Sequence, residues 1–141
     1  MDYRPNTWNE YLGQNKIKES VRMAIESVIK RDSILDHLLL YGPPGLGKTS
    51  LAKLIAKVLE KNIKVVSGPS LEKTGDLAAV LIGLEEGDIL FIDEIHRLKI
   101  NVEEYLYSAM EDFKIDVMIG NGGEQESLII NLQQFTLIGA T

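Results

Sequence analysis

Residues 42–49 read Gly42-Pro43-Pro44-Gly45-Leu46-Gly47-Lys48-Thr49, and no other stretch limits the fold of this chain as strongly. The run satisfies the phosphate-loop pattern G-x-x-x-x-G-K-[ST] at every fixed position. Glycines let the backbone curl until several N–H groups converge on an anion. The lysine adds a point charge for β- and γ-phosphates, and the threonine hydroxyl can ligate Mg²⁺. The apolar run His37-Leu38-Leu39-Leu40-Tyr41 just ahead of it predicts a buried strand. After the loop, Leu51, Ala52, Leu54, Ile55, Val58 and Leu59 fall on one helical face. Strand, glycine loop and helix N-terminus in that order also aim the helix dipole at the phosphates. The bland alternative is a Gly/Pro turn before a helix.

Hydrolysis of a nucleoside triphosphate also needs an acid to hold the metal and a group to prepare the attacking water. Both belong at the carboxyl end of a buried strand close to the phosphate loop. Ile89-Leu90-Phe91-Ile92 is a continuous apolar run, as expected of a strand covered on both faces, and Asp93-Glu94 follows directly. Asp93 would support Mg²⁺ together with Thr49, and Glu94 would polarise water. Alternatively the pair is a strand-end turn with exposed acids, since adjacent carboxylates must be solvated or paired.

The remaining pattern organises around these two motifs. The chain has 141 residues, which allows one domain with a real core. Ile17, Val21, Ala24, Ile25, Val28 and Ile29 repeat at helical spacing. Further helices are predicted over 76–84 and 102–113, and a second short strand over 63–66, closed by Ser67-Gly68-Pro69. A hairpin pairs 115–119 with 128–132 across a Gly120-Asn121-Gly122-Gly123 turn, and a last strand runs over 135–140. Alternating strands and helices predict an α/β fold with a mainly parallel sheet. Three parts are expected: arm and first helix over 1–36, phosphate-loop core over 37–114, hairpin and last strand over 115–141.

Other classes drop out. There is no Cys, so disulfides and thiolate metal sites are excluded. No apolar run approaches the roughly 18 residues of a membrane span, and the polar start Met1-Asp2-Tyr3-Arg4 is no signal peptide, so no membrane contact and a cytoplasmic location are expected. A net charge of −6 without a long basic run argues against holding nucleic acid by charge alone. It leaves open a local basic patch, or a DNA-binding surface elsewhere in a larger assembly.

Residues 41–49, 91–98 and 135–141 together resemble the AAA+ ATPases. More narrowly, the chain is similar from Tyr3 to Thr141 to the RuvB family, the bacterial Holliday-junction branch-migration motors. Arg4-Pro5 with residues 10–14, Ser67-Gly68-Pro69, and residues 71–79, 109–113 and 118–120 carry this narrower likeness. It implies a three-layer P-loop NTPase sandwich with a β-hairpin insertion, and ATP and Mg²⁺ as ligands. Lys48, Asp93 and Glu94 would be catalytic. Gly42, Pro43, Pro44, Gly45, Leu46, Gly47, Lys48, Thr49 and Ser50 would hold the phosphates, and Thr49 and Asp93 the metal. Arg4, Pro5, Tyr11 and Leu12 would line the adenine pocket, although Tyr11 and Leu12 suit core packing by an N-terminal arm equally well. His96 and Arg97 match the family signature after the acids, and a lone His there suits a structural or orienting role better than direct catalysis. The hairpin from Ile115 to Leu132 corresponds to the element that docks the junction-binding partner RuvA. Its apolar residues Met118, Ile119, Leu128 and Ile130 are expected to be exposed. An ordinary surface insertion packed on its own helix is the alternative. Further partners would be other RuvB subunits in a hexameric ring and four-way junction DNA.

The family pattern continues past Thr141. Thr141 can fill the role of the polar γ-phosphate sensor, although the match places that sensor more naturally at the next position. The arginine finger, last sheet strand, helical lid and winged-helix domain also fall beyond it. The chain thus reads as a fragment whose sheet stops before its last strand, leaving Leu38, Leu39 and Leu40 as an unpaired apolar edge. Such a chain is expected to bind ATP weakly and to hydrolyse it slowly or not at all alone. The function expected first is an ATP-driven motor for branch migration in recombination and repair. A clamp-loader-like AAA+ ATPase shares the fold and the acidic motif but lacks the 67–79 match and the hairpin pattern. A non-catalytic nucleotide-binding remnant is the third reading.

Overall fold

A computed structural model of the protein describes residues 15–42, 47–120 and 122–141. The central sheet consists of β1 (Leu38–Leu40), β2 (Ile63–Ser67), β3 (Ile89–Asp93) and β6 (Thr136–Ala140). All four are parallel, in the spatial order β1-β6-β3-β2. Helices α1 (Asn15–Arg31), α2 (Lys48–Leu59), α3 (Thr74–Ile82) and α4 (Ile100–Asp112) cover it. Strands β4 (Lys114–Ile119) and β5 (Glu126–Asn131) form a separate antiparallel hairpin.

Strand β3 explains why the architecture has three layers. Successive side chains of a strand point to opposite faces, and every residue from Ile89 to Ile92 is buried. Ile89 and Phe91 join a core with Val21, Ile25, Leu51, Leu54 and Ile55 from α1 and α2. Leu90 and Ile92 join a second core with Leu77, Leu81, Val102 and Leu106 from α3 and α4. Strand β6 divides in the same way, with Ile138 and Ala140 in the first core and Leu137 in the second. A strand lined by helices on both sides has no polar face to show, which is why its sequence is uniformly apolar.

Helix ends shift slightly from the sequence-based expectation. Helix α3 begins at Thr74 rather than 76, because the Asp76 carboxylate accepts the main-chain N–H groups of Glu72 and Lys73, each at 3.1 Å, and fastens the first turn. Helix α4 begins at Ile100 rather than 102 and stops where Phe113 turns left-handed, with φ 51°. The three leucines of β1 lie at the sheet edge and pair only with β6 among the described residues. Leu39 there is 47% exposed, as expected for an apolar edge.

Side chains lengthen the short β1–β6 seam. The Thr136 hydroxyl donates to the Leu35 carbonyl at 2.6 Å, and the Leu137 N–H donates to His37 Nδ1 at 2.8 Å. A ring nitrogen that accepts carries no proton, so this bond requires Nδ1 to be unprotonated. Burial pushes the His37 pKa below its ordinary 6.5, with neighbouring Asp36 opposing the shift. The unfolded chain then binds more protons than the folded one below pH 6.5. The stabilisation is complete above that pH and fades as pH falls toward the lowered value. Thermal melting followed across this range should show a loss on acidification that is smaller in His37→Gln. Parallel curves for the two proteins would refute it.

Candidate functional site

Because β1, β3 and β6 are parallel, their carboxyl ends open at one end of the sheet, where ligands of such sheets bind. Leu40 leads there into the phosphate loop, Ile92 into Asp93-Glu94, and Ala140 into Thr141. Two further main-chain bonds tie the first and last of these together. Thr141 N–H donates to the Leu40 carbonyl at 3.0 Å, and Gly42 N–H donates to the Thr141 oxygen at 3.2 Å.

The Lys48 ammonium sits at this junction. It donates to the Gly42 carbonyl at 2.6 Å and to the main-chain oxygen of Thr141 at 2.9 Å. Lys48 is also the first residue of α2. Gly47 before it is left-handed, with φ 81°, a conformation that glycine adopts without penalty. The N-cap Gly47 has no side chain to offer, and among the described residues no side-chain oxygen bonds the amides of the first turn at the positive dipole end. Thr49 and Ser50 are half-buried in that turn. Of the phosphate-holding residues, Pro43, Pro44, Gly45 and Leu46 lie outside the described residues, as do Arg4, Pro5, Tyr11 and Leu12 of the expected adenine pocket.

Asp93 is half-buried at the end of β3, and its Oδ1 accepts the Glu94 N–H at 2.9 Å. Glu94 itself has φ 50° and ψ 48°. For a non-glycine residue this left-handed geometry costs about 1–2 kcal/mol, and such strain gathers at functional sites. A 3₁₀ turn over Ile95–Arg97 follows. The Glu94 carboxylate lies 3.6 Å from the Arg97 guanidinium, with both groups about half exposed, so solvent leaves the pair worth under about 1 kcal/mol. Among the described residues no three His, Cys, Asp or Glu side chains cluster to hold a metal. Mg²⁺ needs no such cluster, since it takes one or two protein oxygens and completes its shell with phosphate and water. Thr49 and Asp93 are the oxygens present.

Three contacts here escaped the sequence reading. His96 Nδ1 stands 2.8 Å from Thr141 Oγ1, which gives this histidine a partner. Gly139 is closely covered: a Cβ there would come within 2.8 Å of Ile95 Cδ1 and 3.1 Å of Leu39 Cδ1, so those side chains would have to shift. Gly68, in the 3₁₀ turn Gly68–Ser70, is tighter still, because a Cβ would run into the Glu94 carbonyl oxygen. A glycine marks such approaches only weakly in sequence, since turns use it as well. Gly68→Ala should force backbone apart, cost about 2 kcal/mol and lower the melting temperature by roughly 5–8 °C. Calorimetry checks this, and an unchanged melting temperature would remove Gly68 as a spacer for the Glu94 turn.

The hairpin leaves the body from α4. Its register pairs Ile115 with Ile130 and Val117 with Leu128. Ile115 is buried, and Val117, Ile130 and Leu132 pack against the second core. The Tyr105 hydroxyl donates to the Asp116 carbonyl at 2.8 Å, which fastens the hairpin to α4. Burial, with Asp116 adding to it, holds the Tyr105 pKa above its usual 10.0. Nearer the turn Met118, Ile119, Leu128 and Ile129 are exposed. The expectation for Ile130 is therefore corrected. It lies opposite buried Ile115 and is half-buried, while Ile129, one residue earlier and on the other face, is 66% exposed. A cavity of about 480 Å³ between β2 and α3, lined in part by Ile63, Val80 and Leu84, contains none of the groups named above.

Comparison with known proteins places this geometry. A family model described as the Holliday junction DNA helicase RuvB P-loop domain matches residues 3–141. The Holliday junction branch migration complex subunit RuvB of Sulfurimonas denitrificans is 60% identical over 138 residues, covering 98% of this chain and 41% of the relative. The subunit of the same name from Helicobacter hepaticus is 57% identical over 141 residues, covering 100% of this chain and 42% of the relative. The chain thus spans about two fifths of the length of these relatives. Among solved structures, the Thermotoga maritima RuvB Holliday junction branch migration motor is similar, with a TM-score of 0.85 and 51% identity over 99% of this chain and 42% of that one. A mutant of Thermotoga maritima RuvB reaches a TM-score of 0.87 at 53% identity, over 98% of this chain and 42% of that one.

Proposed function

The chain belongs to the RuvB P-loop domain family, and from that membership we propose that it is the nucleotide-holding part of a motor that uses ATP to drive branch migration of Holliday junctions. The observation that carries this reading is the placement of the Lys48 ammonium. It lies where the ends of β1 and β6 meet the uncapped start of α2, bonded only to main-chain oxygens among the described residues. A phosphate oxygen can replace a carbonyl there at little cost, because the new bond joins two charged groups. Lys48 then faces the β- and γ-phosphates, with the N–H groups at the start of α2 beside them. Thr49 and Asp93 offer the oxygens for Mg²⁺, which when bound neutralises phosphate charge. Glu94 takes up a proton from the attacking water, and its strained backbone fits a role in chemistry.

For partners, the apolar tip formed by Met118, Ile119, Leu128 and Ile129 suits docking of RuvA, and rigid attachment at Tyr105 presents it. Assembly into a ring with further RuvB subunits on four-way junction DNA follows from the same membership. The relatives named above are RuvB subunits, which favours this reading over a clamp loader. Calorimetric titration with ATP, with and without Mg²⁺, tests the site: saturable, Mg²⁺-strengthened binding is expected, and no heat of binding would sink the proposal. Capture on immobilised RuvA tests the tip, with Met118→Asp expected to abolish it. Equal capture of the variant would assign RuvA binding elsewhere.

A further inference from the structure

Thr141 joins two parts of the site that are far apart in sequence. Its main-chain oxygen accepts both the Lys48 ammonium, at 2.9 Å, and the Gly42 N–H, at 3.2 Å. Its hydroxyl lies 2.8 Å from Nδ1 of His96, 45 positions away in the turn that follows Glu94. A threonine hydroxyl both donates and accepts. A neutral ring with a bare Nδ1 can therefore accept from it, and a ring protonated there can donate to it. The bond survives protonation of the histidine.

We infer that His96 and Thr141 are a positioning pair that sets the spacing between the Lys48 ammonium and the turn carrying Glu94; this rests on the reading of 42–50 as a nucleotide site. The turn is closed internally by its main-chain bonds, Arg97 N–H to the Glu94 carbonyl at 2.9 Å and Leu98 N–H to the Ile95 carbonyl at 3.2 Å, and these do not reach the phosphate loop. Its first residue is strained, and the Glu94–Arg97 pair beside it is too exposed to fix it. Gly68 and Gly139 let neighbouring backbone and side chains close in around it, but such packing limits approach without tying the turn to the phosphate loop. Among the described residues the His96–Thr141 bond is the side-chain hydrogen bond that makes that tie.

A diphosphate meets the phosphate loop alone. A γ-phosphate must also fit between Lys48 and the Glu94 turn, so it senses their spacing. His96→Ala and Thr141→Val are each expected to bind ADP like the unaltered chain. Their preference for a non-hydrolysable ATP analogue over ADP should fall about 3- to 10-fold, the worth of one hydrogen bond. The double variant should be no worse than either single one, because both remove the same bond. Thr141→Ser and His96→Asn, which keeps a polar atom near the place of Nδ1, should restore the preference. Fluorescence titration with both nucleotides on the whole chain, with melting curves alongside, reads all of this. An unchanged preference, additive losses, failure of the conservative variants to restore it, or a parallel drop in ADP affinity and melting temperature would each overturn the pair. If the unaltered chain binds ATP and ADP while the variants match it, only the pair fails. If the unaltered chain binds neither, the nucleotide reading fails and takes the pair with it.

Discussion

In an assembled ring of the full-length subunit, Glu94→Gln is expected to bind ATP and Mg²⁺ as the unaltered protein does and to release phosphate about 10²–10⁴-fold more slowly, the usual contribution of a positioned general base. The substitution is nearly isosteric and removes the group's ability to take a proton. Little else should change. The ion pair lost with Arg97 is half exposed and worth little. The bond that orients Asp93 comes from the main-chain N–H of residue 94 and survives. Single-turnover phosphate release, beside equilibrium ATP titration, separates the two effects. Turnover at the unaltered rate would take Glu94 out of the chemistry, and weaker ATP binding with normal turnover would make it a binding residue instead.

Lys48→Ala should fail one step earlier. The ammonium makes two charge-assisted bonds at the mouth of the site, at 2.6 and 2.9 Å. In the proposed complex phosphate oxygens take such bonds, each worth about 1.5–3 kcal/mol. Losing them should weaken ATP binding by about 10²-fold or more. The fold should hold, because the Thr141 oxygen keeps the Gly42 N–H as a donor when the lysine is gone. Ligand-induced melting shifts give the readout. At an ATP concentration about 100 times the dissociation constant, the unaltered protein gains about 2.7 kcal/mol, and the variant should gain almost nothing at the same concentration. A variant that melts as before without ATP and is still stabilised by it would exclude Lys48 as a phosphate ligand.

What sequence made legible followed from period and burial. The run 89–92 declared itself because a strand covered on both faces must be apolar throughout, and the sheet places Ile89 to Ile92 at zero exposure. The helices showed through their spacing to within about two residues. The hairpin was found but its phase was not fully read. Apolar residues occupy both faces near its tip, so nothing in the pattern distinguished Ile129 from Ile130, and only the pairing of Ile115 with Ile130 decides. Contacts made by the completed fold were out of reach. The bonds of His37 to Leu137 and Thr136 to Leu35 span 100 and 101 residues. Gly68 gave no sign that it faces the Glu94 carbonyl.

Glu94 has a left-handed backbone that its residue type disfavours. A left-handed position at a strand end is one that glycine fills without penalty, so Glu94→Gly would relieve about 1–2 kcal/mol of backbone strain. Drift that preserved only the fold would push this position toward glycine, and a scaffold that had lost its chemistry would gain stability by yielding. A glutamate held there against its own backbone preference is what a working site retains and a decayed one sheds. Glu94 shares this geometry with Asp32, Glu60 and Phe113, but of the four it is the one that directly follows the strand-end aspartate, where the proposed chemistry needs a carboxylate.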